Sequence, residues 1–190
     1  KNDADAKIIV SPSDHLILKE DKFVETIEHA LNFIEHNDVL LTMGIKPTRP
    51  DTGYGYIQHK GEANDGVFKV KAFTEKPEKE LAKTFITSGD FLWNSGTFIW
   101  RSQTINKAIK QYIPEVHEAI ASCEDQFFTE KETQAIARAY SMCTSVSIDY
   151  GVMEKADNTY VLPADFGWSD IGTWASLYEV YEKDYLKNAV

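Results

Sequence analysis

The stretch that decides the fold class is residues 6–45, AKIIVSPSDHLILKEDKFVETIEHALNFIEHNDVLLTMGI. Its beginning, Ala6 to Val10, predicts a short buried strand, and the apolar run from Val39 to Ile45 favours a second strand. Between these runs, residues 21–36 predict a helix that Asp21 caps. The apolar stripe of this helix has spacings of three and four residues and consists of Val24, Ile27, Leu31 and Ile34. Strand, helix and strand within about 40 residues indicate a βαβ unit, a parallel sheet and the α/β class.

The rest of the chain continues to alternate between strand and helix patterns. A loop is expected over residues 46–55, and a mostly apolar strand over residues 91–100 is interrupted by the polar residues of WNSG. Other helical patterns cover residues 78–88, residues 102–140 with breaks at Pro114 and near Phe127, and the tail from Trp174; other strand patterns cover residues 56–58, 67–73, 145–148 and 159–162. No linker or repeat divides residues 1–190, so we expect one domain.

Composition and charge limit the classes of partner. The chain has 190 residues, of which 43% are hydrophobic and 26% charged, as in an ordinary globular domain. A net charge of −10 opposes broad binding to nucleic acid or to acidic membranes, which needs a basic face. A phosphorylated small substrate needs only a few local cations or a metal ion and remains compatible with this charge. No apolar run approaches the ~20 residues of a membrane helix, and the polar start has no secretory signal.

The two cysteines, Cys123 and Cys143, are far apart and belong to no paired motif. This argues against a zinc site or a disulfide framework and fits a reducing, cytoplasmic compartment. The sequence leaves the oligomeric state open, with a homodimer among the options.

Two aspartates, Asp14 and Asp170, lie where a metal ion or a ligand could approach them, and a third, Asp149, has no assigned role beyond a possible cap. Asp14 lies in SPSDH, residues 11–15, directly after the first predicted strand, and ligands of open α/β sheets gather beyond the carboxyl ends of strands. Asp170 lies between two glycines, and Asp149 lies in SIDYGVMEK, residues 147–155, where a strand pattern changes into a short helical one. Carboxylate oxygens are the ligands that Mg²⁺ prefers. A turn or a helix cap explains each aspartate as well.

Three further patterns combine groups that bind sugars or phosphates. In GYGY, residues 53–56, the glycines allow close backbone approach to a ligand and the tyrosines offer ring faces and hydroxyls. Glu75 and Lys76, at the end of a strand, offer a carboxylate for hydroxyl groups and a cation for a phosphate. In WNSG, residues 93–96, polar residues interrupt an apolar strand, a conflict that often marks a functional site. A turn, a surface ion pair and a β-bulge are the corresponding structural explanations.

Taken together and in this order, the patterns resemble the mannose-1-phosphate guanylyltransferase family of sugar nucleotidyltransferases. The resemblance extends from Ile8 to about Tyr178. Its most specific stretches are FLWNSGTFIW, SIDYGVMEK and WSDIGTW, whereas PSDH and EKP are shared more loosely among related enzymes. The resemblance implies a Rossmann-like nucleotidyltransferase sheet with flanking helices.

The resemblance also implies a set of site residues. By position in the family motifs, Asp14 and Asp170 would bind a catalytic Mg²⁺, and Lys76 would hold the sugar phosphate. The residues expected to line the substrate pocket are Gly53, Tyr54, Gly55, Tyr56, Glu75, Lys76, Asn94 and Ser95. The implied substrates are GTP and mannose-1-phosphate. An oxygen of the sugar phosphate would attack the α-phosphorus of GTP in line and release pyrophosphate, without a general base because the nucleophile is already an anion.

One departure from the family pattern is the absence of its first element. The family begins with a glycine-rich loop, followed by an arginine and a lysine, that holds the GTP phosphates. The glycines at positions 53 and 55 have no downstream Lys-Ser/Thr and do not form such a loop. We therefore expect an N-terminal βαβ portion, on the order of 30 residues or more, to be missing and this chain alone to be inactive. Another hexose-1-phosphate nucleotidyltransferase and a non-catalytic sugar-phosphate-binding module are the alternatives.

Overall fold

A computed structural model of the protein describes residues 3, 5–172, 174, 177, 178, 181–184, 186 and 188. Within these residues, the strands are β1 (Lys7–Val10), β2 (Leu16–Ile17), β3 (Leu40–Ile45), β4 (Tyr56–Asn64), β5 (Val67–Thr74), β6 (Phe91–Arg101), β7 (Thr159–Ala164) and β8 (Trp168–Ser169). The α-helices are α1 (Glu20–His36), α2 (Lys79–Ser88), α3 (Ser102–Tyr112), α4 (Pro114–Ala121) and α5 (Glu132–Met142). A short 3₁₀ turn spans Glu124–Gln126, and one wide helical turn of the π type spans Asp149–Met153.

The main sheet has six strands in the order β1-β6-β3-β7-β5-β4. Only β3 and β7 pair in parallel among the described strands of this sheet, and the other pairings are antiparallel. The first and second predicted strands, β1 and β3, do flank helix α1, but β6 lies between them and runs in the opposite direction. The predicted α/β class is confirmed, and the predicted parallel sheet is wrong because a strand from later in the chain separates the two strands of the βαβ unit.

Helices cover both faces of the sheet. Helix α1 contributes Ala30, Phe33 and Ile34 to a core formed with β3, β6 and β7. On the other face, Ile105 and Ala108 of α3 pack with residues of β3, β6 and the wide turn. This arrangement buries β3 and the middle of β6 on both sides, as the apolar runs in their sequences require.

Helix α1 and strand β1 differ in detail from the sequence predictions. Val24 is 53% exposed, and its neighbour Phe23 packs against the core instead. Asp21 does not cap the helix, because the helix begins one residue earlier and the residue before it, Lys19, makes no side-chain capping bond. Strand β1 lies at the edge of the sheet and Ile9 is 42% exposed, so the prediction of a buried strand was wrong.

The later elements mostly follow the sequence predictions. The loop over residues 46–55, the helix break at Pro114 and strand β7 are all present. Residues 145–148 do not form a strand. The helix predicted from Trp174 falls on a tail that lies largely outside the described residues. In the described part of the chain, no helix combines the length and apolar character needed to cross a membrane.

Strand β6 has different neighbours along its length, and this positions the candidate site. On one side it pairs with β3 over most of its length. On its other side, Phe91, Leu92 and Trp93 pair with β4, and the end of the strand from Phe98 pairs with β1. Residues 94–97 therefore have no strand on this second side, which leaves a gap in the sheet between the end of β1 and the start of β4.

The pairing between β6 and β4 also closes a ring of strands, β6-β3-β7-β5-β4. Ile57, Leu92 and Val161 form a buried cluster where this ring closes. Gly44 of β3 faces the same cluster, and a β-carbon at Gly44 would lie 2.6 Å from Leu92 Cδ1 and 2.7 Å from Val161 Cγ2. The absence of a side chain at Gly44 is thus a condition for closing the ring.

We expect Gly44→Ala to lower the free energy of unfolding by about 1–3 kcal/mol, because the added methyl group must displace two packed side chains. Urea unfolding of the two proteins measures the difference. A loss below about 0.5 kcal/mol, the range of ordinary surface substitutions, would mean that the ring is packed less tightly than described.

Candidate active site

The polar segments selected from the sequence meet at the gap beside residues 94–97. The loop that enters β4 is fixed there, because Gly55 O accepts a hydrogen bond from Asn94 N at 2.8 Å. The loop that leaves β1 reaches the same place, since a β-carbon at Gly96 would lie 3.2 Å from Pro12 Cγ. Loops that are distant in sequence thus border one cleft in the sheet.

The side chains of residues 94–97 satisfy backbone groups on both sides of β6, because the pairing with β3 is also interrupted here, between Gly44 opposite Asn94 and Thr42 opposite Phe98. Ser95 Oγ donates to Met43 O at 2.8 Å and accepts from Thr97 N at 3.3 Å. Asn94 Oδ1 accepts from Gly96 N at 3.1 Å. Buried backbone groups must be paired, so part of the reason for polar residues in this apolar strand is structural. Ser95 is fully buried and has no surface for a ligand, which corrects its expected role as a substrate contact.

Asn94 extends the network to the wide helical turn. Its Oδ1 lies 3.4 Å from the hydroxyl of Thr42, which donates to the nearer Thr97 O at 3.1 Å. Its Nδ2 donates to Asp149 Oδ1 at 2.7 Å, a short distance that is typical of a bond to a carboxylate. The Asn94 amide is therefore held from both ends in one orientation.

Glu75 and Lys76 stand beside this network. The Glu75 side chain is 29% exposed and packs against the backbone of Gly55, where any β-carbon would overlap Glu75 Oε2. Lys76 has a left-handed backbone conformation with φ 46°, and its N–H donates to Tyr54 O at 3.2 Å. The Lys76 side chain is 66% exposed, and its Nζ lies 3.7 Å from Glu75 Oε1. The predicted ion pair is present, but it is long and leaves the ammonium group open to solvent.

Three carboxylates influence one another across the cleft. Burial raises the pKa of Glu75, and the charge of Asp149 raises it further, against an opposing effect of Lys76. The pKa of Glu154 is raised first by burial and then by Asp149 and Glu75. Ionised carboxylates accept hydrogen bonds and donate none. The cleft therefore suits a ligand whose hydroxyl groups can donate to them.

Tyr54 connects this cleft to the aspartate at position 170. Its hydroxyl donates to Asp170 Oδ1 at 2.9 Å, and its ring meets Trp93 and Trp168 edge-on at centroid distances of 4.9 and 5.2 Å. Burial raises the pKa of Tyr54, and the bond to Asp170 raises it further, so the phenol stays protonated and donates. Arg49 Nη2 lies 3.4 Å from the same hydroxyl. Tyr54 thus fixes the Asp170 carboxylate.

The pairing of β2 with β8 places both predicted metal ligands near His15. Leu16 pairs with Ser169 in antiparallel register, and continuing this register places His15 opposite Asp170. Burial lowers the pKa of His15, while Asp14 and Asp170 both raise it, so both carboxylates lie within electrostatic range of this ring.

The two aspartates have the chemistry that a magnesium site needs. No group of three or more His, Cys, Asp or Glu side chains in the described residues could hold a metal ion by itself. Mg²⁺ is usually bound through one or two carboxylates, with waters and substrate phosphates completing the shell, so this donor pair fits it.

The predicted glycine-tyrosine loop has the expected position but a different role. Tyr54 is 8% exposed and Tyr56 is fully buried, with its hydroxyl donating to Asp51 O at 2.9 Å. The fully buried Tyr56 cannot line the pocket, which corrects the expectation for this residue, whereas Tyr54 still lines a surface cavity with Trp93 and Trp168. Gly53 is exposed, and its N–H donates to Asp51 Oδ1 at 2.8 Å. An exposed aromatic ring is supplied instead by Tyr150, which is 47% exposed and follows Asp149.

Asp149 and Thr42 are the site residues that sequence reasoning did not select. The pattern SIDYGVMEK is compatible with Asp149 as a cap or as a functional residue. In the structure, the residue at the cap position of the wide turn is Ile148, and no side-chain capping bond is present there. Thr42 is the one polar side chain in the apolar run of β3, which was a signal for a buried hydrogen bond.

The mixed sheet, with helices on both faces and a polar cleft at a gap beside its central strand, defines an α/β protein of the nucleotidyltransferase type. Residues 1–187 match the model of the family described as nucleotidyl transferase, and the chain belongs to this family.

Curated relatives carry more specific names. The mannose-1-phosphate guanylyltransferase of Salmonella muenchen is 35% identical over 189 residues, which are 99% of this chain and 40% of the relative. The mannose-1-phosphate guanylyltransferase of Escherichia coli is 36% identical over 187 residues, or 94% of this chain and 38% of the relative. The xanthan biosynthesis protein XanB of Xanthomonas campestris is 38% identical over 194 residues, covering 100% of this chain and 40% of the relative. The chain thus spans about two fifths of these relatives.

Two solved structures share the fold closely. A structure described as mannose-1-phosphate geranyltransferase from Thermus thermophilus superposes with a TM-score of 0.82 at 31% identity, covering 94% of this chain and 50% of that one. A structure described as mannose-6-phosphate isomerase from Helicobacter pylori has a TM-score of 0.73 at 25% identity, covering 88% of this chain and 65% of that one. Both solved structures share the mixed α/β fold described above.

The two buried tyrosines of the loop should differ in what their hydroxyls contribute. We expect Tyr54→Phe to lower the free energy of unfolding by about 1.5–3 kcal/mol, because its hydroxyl donates to a charged group, and Tyr56→Phe by about 0.5–1.5 kcal/mol, because its acceptor is a neutral carbonyl. Urea unfolding near neutral pH compares them. Equal losses in the two variants would contradict the bond between Tyr54 and Asp170.

Proposed function

We propose that this cleft is the sugar-phosphate and metal site of a mannose-1-phosphate guanylyltransferase, which transfers GMP from GTP to mannose-1-phosphate and yields GDP-mannose and pyrophosphate. The observation that carries the proposal is the convergence of two groups of residues. Glu75, Lys76 and Asn94 border one part of the cleft, and Asp14 and Asp170 lie at another, joined through Tyr54. The names of the curated relatives support mannose-1-phosphate as the sugar phosphate and a guanine nucleotide as the second substrate.

The hexose would be recognised by hydrogen bonds from the residues of the gap. Glu75 would accept from sugar hydroxyls, and Asn94 would donate through the N–H that Asp149 does not use. Lys76 carries an exposed ammonium group beside them and would hold the sugar phosphate as a point charge. The cleft therefore separates the recognition of shape, by Glu75 and Asn94, from the recognition of charge, by Lys76.

Asp14 and Asp170 would hold a Mg²⁺ ion near the phosphates. When bound, this ion would neutralise charge on the reacting phosphates. Tyr54 would keep the Asp170 carboxylate in its binding orientation, and Trp168 fixes His15 through a hydrogen bond from Nε1 to Nδ1 at 3.1 Å. The attacking sugar phosphate is already an anion, so the residues need only position it and balance charge, and none has to act as a general base.

Binding of hexose phosphates to the 190-residue chain tests the sugar part of the proposal. In isothermal titration with Mg²⁺ present, we expect mannose-1-phosphate to bind more tightly than glucose-1-phosphate and inorganic phosphate. Glu75→Ala and Asn94→Ala should each weaken mannose-1-phosphate roughly 5- to 150-fold, which corresponds to about 1–3 kcal/mol for a lost hydrogen bond. Lys76→Ala should weaken the binding of all three ligands by similar factors, because Lys76 would contact the phosphate and not the sugar hydroxyls.

The matched control is an exposed ion pair of helix α2. Lys83 Nζ lies 2.7 Å from Glu80 Oε1, and both side chains are more exposed than Glu75. Glu80→Ala and Lys83→Ala should leave every affinity unchanged. If the variants at Glu75, Lys76 and Asn94 also bind mannose-1-phosphate as tightly as the unmutated chain does, the sugar pocket is elsewhere. Tighter binding of glucose-1-phosphate would favour another hexose. Binding without pyrophosphate release from GTP, in a longer protein that also carries the family's glycine-rich loop, would favour a non-catalytic module.

The metal assignment has its own test in the binding of Mn²⁺, followed by electron paramagnetic resonance. Asp14→Asn and Asp170→Asn keep the side-chain shape but remove a negative charge, so each should weaken Mn²⁺ binding by roughly tenfold or more, or about 1.4 kcal/mol. In a guanylyl-transfer assay of a longer protein that also carries the family's glycine-rich loop, the same variants should lose roughly 100-fold in turnover, or about 2.7 kcal/mol. Asp165→Asn is the control, because this carboxylate pairs with Lys19 at the surface at 3.0 Å. Unchanged Mn²⁺ affinity in both site variants would show that the metal ligands are wrongly assigned.

A further inference from the structure

We infer that Asp149 is a specificity-determining residue of the sugar site, which accepts a hydrogen bond from a hydroxyl of the hexose and fixes the orientation of the Asn94 amide. This inference rests on the proposed function, because it names a further residue of the same site. It starts from the 2.7 Å bond between Asn94 Nδ2 and Asp149 Oδ1.

The hydrogen bonds of the Asn94 side chain leave little for a ligand. An amide oxygen accepts two hydrogen bonds and an amide nitrogen donates two. Gly96 N donates to the oxygen, and Asp149 takes one of the two N–H groups. The Thr42 hydroxyl lies 3.4 Å from the same oxygen but is closer to Thr97 O, at 3.1 Å. One N–H of Asn94 remains to donate to a sugar hydroxyl.

Asp149 adds a charged acceptor beside the remaining N–H of Asn94. Its carboxylate is half-buried at the cleft and has two oxygens, of which Oδ1 receives the Asn94 bond. An ionised carboxylate can accept about four hydrogen bonds, and so it retains capacity directly beside the free Asn94 N–H. A donor next to an acceptor matches a hydroxyl group, which both accepts and donates. Asp149 and Asn94 together would bind one hydroxyl group of the hexose, or two neighbouring hydroxyl groups.

The turn that carries Asp149 is anchored firmly enough to set this geometry. Val152 and Met153 are almost fully buried against the sheet, and Asp149 O accepts from Glu154 N at 2.9 Å. Side chains on a fixed backbone lose little freedom when a ligand binds, which favours selectivity.

The charge around Asp149 also indicates hydroxyl donors as the ligand chemistry. Glu75 is close enough for the charge of Asp149 to raise its pKa, and burial raises that pKa as well. Two neighbouring carboxylates that are partly withdrawn from water gain most from a ligand that donates hydrogen bonds. The phosphate of the same ligand would be repelled here and would be directed towards Lys76.

Asp149→Asn tests this inference with a nearly isosteric change. The new amide can still accept from Asn94 through its oxygen, but it presents an NH₂ group where the sugar hydroxyl needs an acceptor. In isothermal titration of the 190-residue chain with Mg²⁺, we expect mannose-1-phosphate to bind roughly 5- to 150-fold more weakly, the factor for a lost hydrogen bond. Binding of inorganic phosphate should change by less than about twofold, because it uses no hydroxyl contact. Asp157→Asn, an exposed carboxylate on the following loop, should match the parent for both ligands.

Asp149→Ala separates the positioning of Asn94 from the direct contact. This variant removes both the acceptor and the partner of Asn94, so the ratio of affinities for mannose-1-phosphate and glucose-1-phosphate should fall towards one. In the parent protein, the side-chain amide of Asn94 should show a shifted ¹H–¹⁵N resonance that moves in the Ala variant even without sugar, which confirms the bond independently of binding. Thermal unfolding establishes that each variant is folded.

The outcomes distinguish this inference from the proposed function. If the parent binds mannose-1-phosphate and both Asp149 variants bind it equally well with the same selectivity, the role of Asp149 is overturned and the function stands. A parent chain that binds inorganic phosphate but no hexose-1-phosphate overturns the proposed function and the inference with it. A loss in Asp149→Asn that is as large for inorganic phosphate as for the sugar phosphate overturns the hydroxyl contact, because it shows a general effect of charge.

Discussion

The structure depends on how β6 satisfies its backbone hydrogen bonds across the gap beside residues 94–97. A central strand that loses its neighbour on one side must pair its exposed N–H and C=O groups in another way or remain open to water. Here Asn94 Oδ1 accepts from Gly96 N, and Gly55 O accepts from Asn94 N. Ser95 bonds Met43 O and Thr97 N where the pairing with β3 is interrupted. The same requirement draws the loops from β1 and into β4 to the gap. The cleft is therefore a consequence of the sheet topology, and Asn94, which helps to close the gap, is also available at its surface.

Tyr54 is hydrogen-bonded to both halves of the candidate site. Its carbonyl accepts from Lys76 N in one half, and its hydroxyl donates to Asp170 in the other. The ring lies between Trp93 and Trp168, which prevents it from turning to follow either partner. A displacement of the sugar-facing loop would thus be transmitted to a proposed metal ligand. Such rigid support is what a reaction catalysed by positioning and charge neutralisation needs.

The local elements could be predicted from the sequence, whereas their arrangement could not. Apolar periodicity located β3, α1 and β6 because it reports which face of an element is buried. It does not report which strand becomes a neighbour, so the insertion of β6 between β1 and β3 was missed, and Ile9 was expected to be buried. The polar patterns indicated the site, but the rotation of each side chain depends on tertiary contacts. For this reason Tyr56 and Ser95 were expected to face the ligand and Asp149 was left undecided.

The negative charge of the site explains why the binding of the sugar phosphate and the binding of the metal ion would depend on each other. Carboxylates dominate both halves of the cleft, with Glu75 and Asp149 in one and Asp170 in the other. Arg49 is engaged by Asp51 at 2.9 Å, which leaves Lys76 as the exposed cation among the site residues described above. One ammonium group in water offsets little of the repulsion that a doubly charged sugar phosphate would meet. A divalent cation near Asp170 would supply the missing positive charge, so the affinity of the sugar phosphate and the affinity of the metal should each increase the other, by reciprocal linkage.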